Sequence, residues 1–163
     1  MAGKSSELQR TFLTYLFCTS ATSAAGGSAS GPGGAATSTT TTLWVALHTA
    51  DPGNAGNQGT SEVAYTGYGR SATMRSAAGT GGTFPTWVIS TTFSPCSVFP
   101  SSAIGFPQCT TVSTVVITNW SVGLTSATGG TTQMYYTGTV TPNISLGASV
   151  TPSLTTGTAC TED

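Results

Sequence analysis

Residues 43–70 read LWVALHTADPGNAGNQGTSEVAYTGYGR, and their pattern decides the fold. Leu43, Val45 and Leu47 alternate with Trp44, Ala46 and His48. A period of two marks a strand, here with one apolar and one mixed face. Ala50-Asp51-Pro52-Gly53 ends it, because an Asp side chain caps the amide two residues on and Pro-Gly suits a tight turn. A polar, Gly-rich loop follows, then Tyr65-Thr66-Gly67-Tyr68-Gly69-Arg70. Outward from there, 62–68 and 71–75 read as a strand pair broken by Gly67 and Gly69. Later candidates are 86–93, 112–124, 132–140 and 144–154. The β-branched run Val112-Ser-Thr-Val-Val-Ile-Thr-Asn-Trp120 favours strand over helix. Turn signals fall at Thr128-Gly129-Gly130 and Thr141-Pro142-Asn143. The pattern predicts a mainly β chain: an antiparallel β-sandwich or jelly-roll-like barrel with a short N-terminal helix and flexible arm.

Composition narrows the function classes. Ser and Thr total 55 of 163 residues, charged residues are 6%, and none lies between Arg75 and Glu162. Disordered chains are usually charged and poor in aromatics, whereas this interval keeps Trp87, Phe93, Trp120, Tyr135 and Tyr136. A β-domain faced with hydroxyls accounts for it. A net charge of -1 gives no basic surface for nucleic acid and favours self-association. No apolar run reaches the roughly 18 residues of a membrane span. Residues 11–25 resemble the apolar part of a secretory signal, but Glu7 stands in the preceding region and the run is short and amphipathic.

Ser6-Glu7-Leu8-Gln9 fits a capping box. Leu8, Phe12, Tyr15 and Leu16 then recur at helical spacing, predicting a helix over 6–17 with one apolar face. That face either packs on the β-domain or anchors the chain to a neighbouring subunit. Residues 19–42 are low-complexity Ser/Ala/Gly/Thr sequence, read as a linker that gives the helix reach. The chain thus divides into 1–42, helix and arm, and 43–163, a β-domain.

Candidates for chemistry are few. His48, Asp51 and Glu62 cluster in the opening stretch, but no nucleophile elbow accompanies them, so a hydrogen-bonded structural histidine and a turn-capping aspartate are expected. Asp51, Asn54, Asn57 and Glu62 supply oxygens of the type calcium takes, but in no EF-hand spacing. No cysteine pair has zinc-site spacing. Cys96 and Cys109 bracket a Pro/Ser-rich loop, and a bridge between them would contribute about 3 kcal/mol in the chain-entropy model. Four cysteines allow three pairings, and four buried thiols are the alternative. Asn119-Trp-Ser121 and Asn143-Ile-Ser145 fit glycosylation acceptors, matches expected by chance in a Ser/Thr-rich chain. No cofactor and no metal are expected.

The stretch Leu43-Trp-Val-Ala-Leu-His-Thr-Ala-Asp-Pro-Gly53, followed by Glu62-Val63 and Tyr65-Thr-Gly-Tyr-Gly-Arg70, resembles small virion structural proteins of tailed bacteriophages, labelled tail-fibre or head-decoration proteins. Trp120 to Leu124, Ala127 to Gly130, Met134 to Gly138 and 147–159 continue the resemblance. Residues 83–109 depart from it and read as a surface insertion, a contact or display loop. The resemblance implies a non-enzymatic virion protein assembled in the bacterial cytoplasm. The leading expectation is a capsid decoration (cement) protein that bridges capsomers. It would bind the major capsid protein or other virion proteins as a homo-oligomer in a symmetric lattice, without nucleic acid or membrane. A tail-fibre or baseplate component is the alternative. A host-carbohydrate-binding module using aromatics of 83–109 is another.

Overall fold

The computed structural model describes residues 5–18, 42–75, 84–93, 95–131 and 133–162. Of the arm expected over 19–42, residues 19–41 lie outside them and Thr42 opens the first strand. Among the described residues one helix, α1 (Ser6–Phe17), precedes nine strands: β1 (Thr42–His48), β2 (Ser71–Met74), β3 (Trp87–Phe93), β4 (Cys96–Pro100), β5 (Ile104–Gly105), β6 (Val116–Gly123), β7 (Met134–Ser145), β8 (Ser153–Leu154) and β9 (Cys160–Glu162). They form a four-stranded sheet β2-β1-β6-β7, a three-stranded sheet β3-β4-β9 and the pair β5-β8. Every ladder between named strands is antiparallel, so the mainly β antiparallel architecture expected from the alternation is what the chain adopts.

In β1 the apolar residues Leu43, Val45 and Leu47 are fully buried, and the register sets Leu47 against Trp120 and Val45 against Val122 of β6. These side chains form one face of the four-stranded sheet and turn into the core. Trp44, Ala46 and His48 pair with Gly123, Ser121 and Asn119 on the other face. That second face is also buried over Ala46, His48, Asn119 and Ser121, because the loop that follows β1 folds back over it. Gly138 lies opposite Trp120. A methyl there would stand 2.7 Å from the indole nitrogen, so the ring occupies the place of the missing side chain.

The helix spans the predicted residues but starts differently. Ser5, not Ser6, is the N-cap: its Oγ accepts the Leu8 N–H at 3.3 Å. The helix packs on β3, β4 and β9 through Leu13 and Phe17, both fully buried. Phe17 packs in tilted geometry against Trp87, ring centroids 4.8 Å apart, and Tyr136, 5.6 Å apart, and Arg10 donates to the Ser90 carbonyl at 2.9 Å. Each buried side chain contributes about 1.5–3 kcal/mol by transfer from water.

Several boundaries moved. The stretch 62–68 is no strand: after the bonds Thr49 N–H to Ser61 O and Val63 N–H to Leu47 O it turns at Gly67, φ +95°. Thr141-Pro142-Asn143 does not reverse the chain but lies inside β7, which continues to Ser145. Between the pairs Asn119↔Thr139 and Ile117↔Ile144, β7 advances five residues while β6 advances two, so these residues bulge out. Residues 84–109 are not a surface loop. They supply β3, β4 and β5 whole, and Trp87, Val98, Ile104 and Phe106 enter the core. The indole of Trp87 is satisfied by Thr73 Oγ1 at 2.9 Å.

Candidate functional site

The conspicuous polar residues of 43–70 converge on the mixed face of β1 and β6. Arg70 reaches Glu62 in a bidentate pair, Nε to Oε1 at 2.7 Å and Nη2 to Oε2 at 2.9 Å, with the two side chains 0% and 4% exposed. Its Nη1 donates to Gln58 Oε1 and to the Thr125 carbonyl, each at 3.1 Å. Gln58 in turn donates to the Trp44 carbonyl at 2.9 Å. Glu62 also accepts from the Tyr68 hydroxyl at 3.0 Å and from the Gly129 N–H at 2.7 Å. The Tyr68 oxygen accepts the Leu47 N–H at 3.1 Å. One guanidinium therefore ties the end of β1, the loop 49–69 and the β6–β7 turn together, and the sheet's own glycine makes room for it. A methyl on Gly123 would stand 2.2 Å from Gln58 Oε1 and 2.4 Å from the Gln133 carbonyl.

The electrostatics follow from burial and partners. Burial alone would push the Glu62 carboxyl up. Hydrogen bonds from Arg70, Gly129 and Tyr68, with the Arg70 charge, outweigh it and hold the group below its ordinary value. Burial pushes the Tyr68 phenol up. His48 is fully buried and burial pushes it down, with the Thr60 carbonyl and the nearby Glu62 charge opposing.

His48 Nε2 lies 2.7 Å from Ser121 Oγ and Nδ1 lies 2.8 Å from the Thr60 carbonyl. In outline this is a nucleophile, a base and an orienting acceptor. His48 and Ser121 are both 0% exposed, so no substrate reaches the hydroxyl. The dyad is a buried, satisfied crosslink between β1 and β6, in line with the structural reading of His48. Asp51 caps its turn as expected, Oδ1 accepting the Gly53 N–H at 2.9 Å. Asn57 does the same for Gly59 at 2.8 Å. Asp51 and Asn57 thus each give an oxygen to turn capping and Glu62 is committed to Arg70, Tyr68 and Gly129, which engages three of the four residues with oxygens of the type calcium takes. Among the described residues no group of three His, Cys, Asp or Glu converges on a metal position.

Other candidates fall elsewhere. Cys18, Cys96, Cys109 and Cys160 are free thiols. Cys96 sits on β4, opposite Glu162 of β9, and Cys109 gives its Sγ–H to the Thr111 carbonyl at 3.1 Å, so the structure places the pair expected to bridge in different surroundings. Of the helix face, Leu16 is partly buried against the core, while Leu8, Phe12 and Tyr15 are 45%, 45% and 42% exposed. The side chains that dock α1 are the neighbouring Gln9, Leu13 and Phe17. Of the aromatics of 83–109 that could serve a sugar, Trp87 and Phe106 are buried and Phe84 is half-exposed. No described helix is long and apolar enough to cross a membrane.

Sequence reading missed Gln58, Arg70, Ser121 and Gly123 as members of this network. The usable signal was charge: in a chain with 6% charged residues, Glu62 and Arg70 are opposite charges eight positions apart, and such a pair on a β-domain has reason to meet.

Among proteins of known kind, no curated protein matches the chain. The family model described as podophage GP4 fiber I protein gp80 matches residues 29–158. The match takes in the ion-pair network and β1 to β8 whole, and leaves α1 and β9 outside. With 130 of 163 residues matched (29 to 158), the chain belongs to the podophage GP4 fiber I protein gp80 family and is a structural component of a phage virion.

Proposed function

We propose that the chain is a subunit of a podophage fibre, a non-enzymatic β-module held on the particle by its N-terminal helix. The observation that carries this reading is the family match over 29–158. The molecule's build agrees with it. The charges of Glu62 and Arg70 are spent on each other inside the fold, His48 is spent on a buried crosslink to Ser121, and Asp51 on its turn. A fully satisfied buried network rigidifies a domain, which suits a part that transmits load. The helix meanwhile turns Leu8, Phe12 and Tyr15 outward in a stripe at i, i+4, i+7. Exposed apolar stripes mark interaction sites, and an uncharged protein–protein contact has little charge to desolvate.

The capsid decoration role expected from sequence becomes the second reading, because the same stripe would serve a shell partner equally well. Disrupting purified particles and quantifying the chain by mass spectrometry in the tail-fibre and shell fractions separates the two. Enrichment with the fibre, at the copy number of a tail appendage, is the expected result. Recovery with the shell at hundreds of copies would overturn it.

A further inference from the structure

The fold treats the indoles of Trp87 and Trp120 differently. Trp87 donates its N–H to Thr73 Oγ1 at 2.9 Å. Trp120 is only 4% exposed, yet no described residue accepts from its Nε1, and that nitrogen is not sealed from solvent. A buried indole N–H ordinarily finds an acceptor. The ring lies opposite Gly138 of β7, and a methyl there would stand 2.7 Å from Nε1. Any larger residue at 138 would cover the N–H or push the ring aside. Glycine leaves the donor accessible.

Trp120 and Gly138 both line a cleft of about 720 Å³ between β7 and residues 153–161. That volume falls within the range of about 300–1,000 Å³ typical of small-ligand sites. Val140 and Leu154 give the cleft buried apolar walls. Thr141, Thr155 and Thr158 line it too, and a threonine hydroxyl both donates and accepts. β7 is an end strand, so no described strand bonds to the backbone of its outer edge. No lining residue is charged, and a charged ligand would lose its hydration without gaining a counter-charge.

These groups describe an occupant that is compact, neutral, and mixes apolar faces with hydroxyls. A saccharide has that chemistry: C–H faces for Val140 and Leu154, and oxygens for the indole N–H, the threonines and the strand edge. An extended peptide fits less well. β7 and β9 already meet where the Tyr136 hydroxyl donates to Glu162, which leaves no slot for a strand bonded to both.

We propose that the cleft between β7 and residues 153–161 binds a neutral saccharide, one of whose oxygens accepts the Trp120 indole N–H. The site lies outside 83–109, and the proposal does not depend on where on the particle the chain sits. The full-length protein, isotope-labelled for NMR, is titrated in turn with neutral trisaccharides of glucose, galactose, mannose, rhamnose and N-acetylglucosamine, with trigalacturonic acid, and with an uncharged threonine-rich peptide. At least one neutral trisaccharide should shift the Trp120 indole signal saturably and leave that of Trp87 in place. The acidic sugar should bind at least about tenfold more weakly.

Three variants locate the binding by calorimetry. Trp120→Phe keeps an aromatic ring without the donor and should weaken binding about tenfold. Ala159→Trp fills the cleft from its exposed wall and should abolish binding. Val112→Trp, at an 85%-exposed site outside the cleft, should leave it unchanged. Should circular dichroism show Trp120→Phe unfolded, Ala159→Trp carries the test. Binding of no neutral trisaccharide, equal binding of the acidic one, or binding that survives Ala159→Trp would each overturn the proposal. A Trp120 shift produced by the peptide and by no sugar would overturn it in favour of a peptide site. Particle fractionation reports on the fibre reading independently, so failure of one leaves the other standing.

Discussion

Replacing Arg70 by methionine removes the guanidinium while keeping most of the volume, so the loss is electrostatic and not a cavity. Four donated bonds go at once: two to Glu62, one to Gln58 and one to the Thr125 carbonyl. Glu62 is left with a 4%-exposed side chain and no counter-charge. Breaking one member of a buried pair costs about 3–5 kcal/mol. The bonds that Glu62 keeps, from Tyr68 and Gly129, temper this, and about 4 kcal/mol at pH 7 is expected. For a chain of this size that is a fall in Tm of about 8–16 °C. Urea unfolding followed by the fluorescence of Trp44, Trp87 and Trp120 measures it. Two companions sharpen the test. At pH 4 the stranded carboxylate takes a proton and the deficit shrinks. In the double variant Arg70→Met with Glu62→Gln the charge is gone, and at least about 1 kcal/mol returns. A single variant within 1 kcal/mol of wild type, or a double variant no better than the single, would refute the reasoning.

Further expectations rest on the same contacts. The folded His48 resists protonation because it is buried, whereas in the unfolded chain it takes a proton near pH 6.5, so stability falls as pH drops below that value. Glu62 is held low in the fold, so its contribution is complete above the unfolded value of about 4.3 and is lost as pH falls from there through the lower folded value. Urea midpoints across pH 2–9 should therefore be level above 7 and fall in two steps below it, and His48→Gln should remove the upper step. Leu13→Ala or Phe17→Ala should cost about 2–5 kcal/mol. Leu8→Ser, Phe12→Ser and Tyr15→Ser should leave the urea midpoint nearly unchanged and reduce binding to particles that lack the protein; unimpaired binding would disown the stripe. Thiol titration of the unfolded chain should find four thiols. In the native protein burial pushes the Cys96 and Cys160 thiols up, so both should react slowly with a disulfide reagent. Two thiols in the unfolded chain would instead show one disulfide, and peptide mapping under non-reducing conditions would tell whether it joins Cys96 to Cys109.

The sequence discloses strands whose side chains alternate in character. β1 alternates Leu43, Val45 and Leu47, which meet the core, with residues covered by the following loop, and its limits agree to within a residue. α1 was placed to the residue, because its spacing of apolar side chains is unambiguous. Which of its two apolar stripes docks was not legible: Leu13 and Phe17 differ from Leu8, Phe12 and Tyr15 only in what faces them, and Trp87 and Tyr136 do so from β3 and β7. β4 and β9 escaped notice because Cys-Ser-Val-Phe-Pro and Cys-Thr-Glu are short and flanked by turn-like residues. β9 moreover pairs with β4, far off in sequence. The same limit hid the network. Asp51 could be assigned because its bond is local, at Gly53. Gln58, Arg70 and Ser121 are polar residues in a polar-looking run, and only the folding of the loop over β6 makes them interior.

Gold labelling of intact particles with an antibody to the β-domain, viewed by electron microscopy, tests the central claim most directly. The fibre reading requires gold confined to tail fibres, at a few sites per particle. Gold spread evenly over the capsid would contradict it.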